Sequence, residues 1–249
     1  VNIHAVAHRG YPVKYPENTL SAYRASLDLN FTYVELDVHL SKDGVPVLMH
    51  DFTVNRLTDG TGYIKDFTLE ELKRLRVRET EQIPTLEEAL ALYKGRAMVS
   101  IELKQAGDIY PGLEEKVLES VRRAGMLDQV YIISFDTYSV IKTRKLCPDV
   151  ELGIVMSGCT PFVFEPMKEL SIRYLAVPVH ALTHAYADEC LERGLQLIAW
   201  PGDTEEQMQK LLQYPSVLVT TNELERWRDF VIRHPELNGL APHFKADKI

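Results

Sequence analysis

YVELDVHLSKDGVPVLMHD, residues 33–51, carries two messages. In its first half the apolar Val34, Leu36 and Val38 alternate with Tyr33, Glu35, Asp37 and His39. Side chains along a strand point to its two faces in turn, so Glu35 and Asp37 fall on the same side of a sheet. The second half turns at Ser41-Lys42-Asp43-Gly44, a hairpin signal. Residues 45–50 then return as an extra strand that ends on His50-Asp51.

Outward from this stretch the pattern is rhythmic. Strand-like runs at 3–7, 33–38, 98–103, 130–134, 151–155, 174–177, 195–199 and 217–220 alternate with amphipathic helical stretches. The latter lie at 19–29, 86–93, 113–124, 138–146, 164–170, 185–193, 205–212 and 224–233. Eight βα units predict an α/β fold of the TIM (β/α)8 barrel type. The alternative is a doubly wound open sheet, because strand number alone does not prove closure. Residues of about 41–84 read as a small insertion after the second strand, placed over the active face and carrying a helix at 69–75. With no long linker or low-complexity tract, residues 1–249 are expected to form one domain. Thr68-Leu69-Glu70-Glu71 and Thr85-Leu86-Glu87-Glu88 read as capping boxes, and Asp203 and Asn222 stand where they can cap the helices that follow.

Hydrophobic residues make up 45% of the 249, charged residues 26%, and the net charge is −8. That supplies a sizeable core. The acidic balance argues against a nucleic-acid or anionic-membrane binder, whose footprint is basic. Cys147, Cys159 and Cys190 are odd in number and lack CxxC spacing, which predicts reduced thiols rather than a disulfide framework or a zinc site. No run reaches 18 uninterrupted apolar residues, and the chain opens on a strand-like segment without the basic-then-apolar pattern of a leader. The expectation is a cytoplasmic protein with no stable membrane insertion.

In such a barrel the working face lies at the C-terminal ends of the strands. His8-Arg9-Gly10 ends the first strand, Glu35 and Asp37 lie on the second, and Glu102 and Lys104 repeat the two-residue spacing on the third. Three carboxylates gathered there cannot all ionise without compensation. One reading is a divalent cation, since all-oxygen ligation by Glu35, Asp37 and Glu102 suits Mg²⁺ or Ca²⁺ better than zinc. The other is ion pairing with Arg9 and Lys104 inside the barrel. His8 and His50 are suited to acid–base work, and Arg9 and Lys104 to an anionic group. Phe135 and Trp200 end later strands, where their rings can meet a choline-like cation or simply bury in the rim. Two cations, a metal and two histidines describe a phosphodiester site. Asp51 is expected to orient His50. His39 continues the alternation and is expected to be a packed or edge histidine; His180 and His184 are expected to be an incidental pair.

These residues resemble the glycerophosphodiester phosphodiesterases. The matching pieces are HRG at 8–10, PENT at 16–19, ELDVHLSKDGVPVLMHD at 35–51, RLTDGTG at 56–62, IPTLEEAL at 83–90 and IELK at 101–104. The match is dense and in family order to residue 104, then thins to SFD at 134–136 and the late strand ending on Trp200. The resemblance implies a TIM barrel with the insertion after strand two. It implies one divalent metal, Mg²⁺ or Ca²⁺, on Glu35, Asp37 and Glu102, and acid–base roles for His8 and His50. Arg9, Lys104, Phe135 and Trp200 would bind phosphate and substrate. Asn18 would cap the first helix and support the metal ligands. The substrates implied are small glycerophosphodiesters such as glycerophosphocholine and glycerophosphoethanolamine, cut to sn-glycerol 3-phosphate and an alcohol.

Two departures from the family pattern stand out. Trp200 is followed by Pro201-Gly202-Asp203 where Thr-Val-Asn is common, and Thr221-Asn222-Glu223-Leu224 replaces Thr-Asp-x-Pro. Both are expected to bear on substrate preference. A lysophospholipase D-like enzyme on the same fold is the nearest alternative, although the insertion offers only Phe52, Leu57, Tyr63, Ile64 and Phe67 to an acyl chain. A non-catalytic binding barrel would be expected to lack part of the set.

Overall fold

A computed structural model describes residues 1–238; residues 239–249, the end of the expected 1–249 domain, lie outside the described residues. The chain runs β1 (Ile3–His8), α1 (Leu20–Asp28), β2 (Phe31–Leu40), β3 (Pro46–Leu48), α2 (Leu69–Arg74), α3 (Leu86–Tyr93), β4 (Met98–Leu103) and α4 (Leu113–Ala124). It continues through β5 (Val130–Ser134), α5 (Thr137–Leu146), β6 (Glu151–Val155), α6 (Phe164–Glu169), β7 (Tyr174–Pro178) and α7 (His184–Glu192). The last elements are β8 (Gln196–Trp200), α8 (Glu205–Leu211), β9 (Leu218–Thr221) and α9 (Leu224–Arg233).

The sheet order is β1-β9-β8-β7-β6-β5-β4-β2-β3, with β1 also paired to β2. Because β1 pairs in parallel with both β2 and β9, eight parallel strands close into a barrel, and the open-sheet alternative falls. β3 stays outside the ring, antiparallel on β2.

Strand periodicity sorts the core into two shells. Val34, Leu36, Val38 and Leu40 of β2, with Val99, Ile101 and Leu103 of β4, pack outward against the helices. Tyr33 and Met98 point inward, joined there by Tyr131, Ile133, Val155, Tyr174 and Ile198. The inward residues that follow Tyr33 and Met98 at two-residue steps are Glu35, Asp37, Ser100 and Glu102, so each strand carries its apolar plug low and its polar groups towards its C-terminal end. The Tyr131 and Tyr174 rings stack 4.0 Å apart across the barrel interior. The insertion has a small core of its own, built on Val47, Met49, Val54, Leu57, Ile64, Leu72, Val77 and Ile83.

Both expected capping boxes form: Thr68 with Glu71 on α2, and Thr85 with Glu88 on α3. Three other caps differ. Thr19, not Asn18, caps α1; Thr204, not Asp203, caps α8; and Asn222 is displaced by Glu223 at the entry to α9, where no side chain caps. In each case the neighbour takes the position because Asn18, Asp203 and Asn222 are engaged elsewhere. The extra strand is also shorter than the expected 45–50, since past Leu48 the chain turns away to bring His50 over the barrel.

Gly153 of β6 faces the stacked tyrosines: a Cβ there would stand 2.7 Å from Tyr174 Cβ and 2.9 Å from Ile133 Cγ2. Gly153→Ala is therefore expected to overpack the barrel and cost about 1–3 kcal/mol. Thermal denaturation checks this; an unchanged midpoint would mean that the interior has slack.

Candidate active site

Parallel register assembles the site. His8 of β1 is the cross-strand partner of Glu35 on β2, and Asp37 of β2 is the partner of Glu102 on β4. Past His8 the backbone turns through Arg9 at φ 58° and Gly10 at φ 82°. Gly10 is required here twice over. Its conformation disfavours a side chain, and a Cβ would stand 2.6 Å from the Ala22 backbone of α1. The turn aims the Arg9 N–H at Glu35, donating to both its carbonyl (3.1 Å) and Oε2 (3.2 Å).

Asn18 completes this corner at φ 55°. Its N–H donates to the Arg9 carbonyl, its Nδ2 donates to Asp37 Oδ2 (2.8 Å), and its Oδ1 accepts from the Tyr23 hydroxyl (2.8 Å) and the Asp37 N–H (3.2 Å). The expected cap of α1 is instead a buried strut under Asp37. Asparagine suits it because it tolerates the left-handed region and carries both donor and acceptor.

Glu35, Asp37 and Glu102 are all buried, and one oxygen from each lies within 4.8 Å of the others. Ion pairing with Arg9 and Lys104 is present. Lys104 Nζ lies 2.9 Å from Asp37 Oδ1 and 2.6 Å from Glu102 Oε1, and Arg9 Nε lies 3.3 Å from Asp37 Oδ2. Two cations thus face three carboxylates, and Glu35 Oε1 is left buried with no hydrogen-bond partner. That orphaned oxygen, in an all-oxygen donor set, fits a hard divalent cation. Burial, reinforced by Asp37 and Glu102, pushes the Glu35 carboxyl well above its ordinary range. Burial acts the same way on Asp37, but Lys104 and Arg9 override it and hold that carboxyl well below. Burial and Asp37 together outweigh Lys104 at Glu102, which is raised.

The histidines come from different elements, His8 from the end of β1 and His50 from the segment after β3. His8 Nδ1 is 2.9 Å from Asn222 Oδ1, and its Nε2 is 3.8 Å from Glu35 Oε2. Burial and then the Arg9 charge depress its pKa to about 4, although the ring keeps 23% of its surface open to the mouth, where water moderates the effect. His50 Nδ1 is 2.8 Å from Asp51 Oδ1, and burial lowers its pKa as well. His39 is packed, as expected, and its Nδ1 meets the Tyr110 hydroxyl at 2.8 Å. Its Nε2 also meets the His50 carbonyl at 3.2 Å, so it steadies the segment that delivers His50. His180 and His184 are exposed, neither lines the mouth cavity, and neither belongs to the carboxylate cluster.

His8, Arg9, Glu35, His50, Glu102 and Lys104 line one side of the barrel-mouth cavity. Phe135 and Trp200 stand on the other, their rings edge to face with centroids 6.3 Å apart. Sequence reasoning missed the outer brace. Glu17 accepts from Arg9 and from Arg56, and Arg56 also donates to both oxygens of Asp51. The signal was present, since Glu17 lies in PENT and Arg56 opens RLTDGTG. The two departing segments begin at the cavity, which Trp200 and Thr220 line. Asp203 and Asn222 do not line the cavity; Asn222 Nδ2 donates to Asp203 Oδ2 at 2.7 Å, behind His8.

Asn18→Ala is expected to strand the buried Tyr23 hydroxyl and leave Asp37 Oδ2 with Arg9 alone, costing about 1–3 kcal/mol. Denaturant unfolding measures it. A variant as stable as the parent would remove Asn18 from this role.

The sequence profile of the glycerophosphoryl diester phosphodiesterase family matches residues 8–226. A glycerophosphodiester phosphodiesterase of Caldanaerobacter subterraneus subsp. tengcongensis is 34% identical over 84% of this chain and 89% of that protein. One of Bacillus subtilis is 30% identical over 87% and 82%. A phosphodiesterase of Oleispira antarctica, solved in complex with the product sn-glycerol-3-phosphate, superposes with a TM-score of 0.85 at 25% identity, covering 92% of this chain and 96% of that one. The chain is an enzyme of the glycerophosphoryl diester phosphodiesterase family.

Proposed function

We propose that this chain hydrolyses small glycerophosphodiesters, glycerophosphocholine and glycerophosphoethanolamine among them, to sn-glycerol 3-phosphate and the free alcohol. The observation that carries this reading is the gathering at one barrel mouth of Glu35, Asp37 and Glu102, two histidines and two cations. Glu35, Asp37 and Glu102 would hold one Mg²⁺ or Ca²⁺. When bound, that ion withdraws charge from the phosphoryl oxygens.

The remaining work belongs to the chain itself. Arg9 and Lys104 offer N–H donors to the anionic phosphodiester as charge builds on it. One of His8 and His50 takes a proton from the nucleophile, water or the glycerol 2-hydroxyl, and the other returns one to the departing alcohol. Asp51 holds His50 by its Nδ1, which leaves Nε2 for the exchange. Phe135 and Trp200 receive the apolar or cationic end of the substrate. The free thiols of Cys147, Cys159 and Cys190 fit a cytoplasmic setting for this work. Among the described residues, no helix is long and apolar enough to cross a membrane.

One feature favours a second reading. Tyr138 and Phe162, on the segments that follow β5 and β6, are 84% and 88% exposed, and they offer apolar surface at the face where a lysophospholipid's acyl chain would approach. Against it, Leu57 and Ile64 are spent on the insertion's own core and Phe67 packs on it, while Phe52 packs against His39 and Tyr110.

The test is release of glycerol 3-phosphate from glycerophosphocholine, with lysophosphatidylcholine hydrolysis measured in parallel. Chelator is expected to abolish release and Mg²⁺ or Ca²⁺ to restore it. Faster turnover of the lysolipid would favour the second reading, and no turnover of either by folded, metal-supplied protein would overturn both. His8→Ala and His50→Ala are each expected to lower kcat by about 10²–10⁴. A histidine whose removal leaves kcat intact has no part in proton transfer.

A further inference from the structure

Behind His8, on the side away from the cavity, lies a chain of hydrogen bonds whose directions can be read from an end that only accepts. The Asp203 carboxylate takes the Asn222 N–H (2.7 Å) and the Thr221 hydroxyl (2.9 Å) on Oδ1, and the Asn222 side-chain Nδ2 (2.7 Å) on Oδ2. Its backbone is fixed too, since the Asp203 N–H donates to Gln207 Oε1 and the carbonyl accepts from Arg226. A carboxylate has no proton to give, so the group facing it from Asn222 must be the amide NH₂. This settles which way round the Asn222 amide sits. Its other end, Oδ1, therefore faces His8 Nδ1 at 2.9 Å, and an amide oxygen also has no proton to give. The proton between them belongs to the imidazole.

We propose that Asp203 and Asn222 are positioning residues that hold His8 as its Nδ1–H form, so that Nε2 offers its lone pair to the barrel mouth. The inference rests on the reading of His8 as an acid–base group. Free imidazole favours the opposite form, with the proton on Nε2, and which nitrogen is protonated in a protein is set by the hydrogen bond that the other one makes. Without the pair, His8 would present an N–H rather than a lone pair to the barrel mouth. Nε2 lies 3.8 Å from Glu35 Oε2 and makes no hydrogen bond to it, as a lone pair beside a carboxylate would. The device differs from the one at His50, where Asp51 meets the ring nitrogen directly. At His8 the carboxylate is one step removed, and it sets the tautomer through the amide without placing its charge against the ring.

The experiment is ¹⁵N NMR of the histidine side chains at a pH where His8 is uncharged, with the His8 signals identified as those lost in His8→Ala. The parent is expected to show the proton on Nδ1. Asp203→Asn keeps the shape but supplies a donor, so the Asn222 amide can turn over. The His8 proton is then expected to move towards Nε2 and kcat to fall about 10–100-fold with KM little changed. The exchanged pair, Asp203→Asn with Asn222→Asp, again puts an acceptor on His8 Nδ1, and both the tautomer and most of kcat are expected to return. A parent with the proton on Nε2 overturns the proposal, as does an Asp203→Asn variant that loses activity with the tautomer unmoved and is not rescued by the exchange. The spectrum needs no turnover. An inactive parent with the proton on Nδ1 would therefore count against the phosphodiesterase reading and leave the positioning role standing.

Discussion

Three carboxylates buried in one barrel mouth are the constraint on which the rest of the site depends. Glu35, Asp37 and Glu102 are inward-facing because strands alternate, and they are neighbours because β2 and β4 pair in register. Left alone, they would repel one another and protonate. Much of the unusual local structure nearby offsets that cost. Lys104 lies between two of the acids, the Arg9 turn brings both a backbone N–H and a guanidinium to them, and Asn18 braces Asp37 from below. Two residues accept the left-handed region to do this, a strain tolerated where the surroundings over-determine it. The compensation stops one charge short, and the deficit is concentrated on Glu35. A divalent cation bound there, as proposed above, would turn that deficit into a net positive charge, the field a phosphodiester anion needs.

The two histidines border this field and are braced in unlike ways. His50 is tied to Asp51, itself clamped by Arg56 and through it to Glu17, so its support is a lattice of full charges at the half-exposed rim. His8 leans on a neutral amide in the wall between β9 and α9. Relative to the family pattern, the carboxylate and the amide at positions 203 and 222 have changed places. Two departures that look independent along the chain are one exchange across a hydrogen bond.

This explains how much of the molecule was legible beforehand. Strand and helix positions, the capping boxes of α2 and α3, and the convergence of His8, Arg9, Glu35, Asp37, His50, Glu102 and Lys104 depend on local pattern and on one topological rule, that strand ends face one way. The Asn18 strut was legible as a polar residue near a helix start, where capping is the common reason for an asparagine; only its place over β2 shows the other use. The Asp203–Asn222 relay was not legible. It requires knowing that β8 and β9 are neighbours and that β9 closes on β1, which joins residues 214 positions apart. Sequence spacing reports short-range geometry well and ring closure poorly.

Closure through β1 and β9 also has a consequence for the order in which the molecule becomes an enzyme. Synthesis delivers the charged groups early: everything proposed to touch phosphate or metal is complete once Lys104 has been made. The brace for His8 and the strand that seals its side of the ring come from the last stretch of the chain, with the contacts between β1 and β9 spanning nearly its full length. Such long-range closure comes late in folding. The emerging chain thus carries its reactive residues without the geometry that couples them, and competence arrives as the two ends meet.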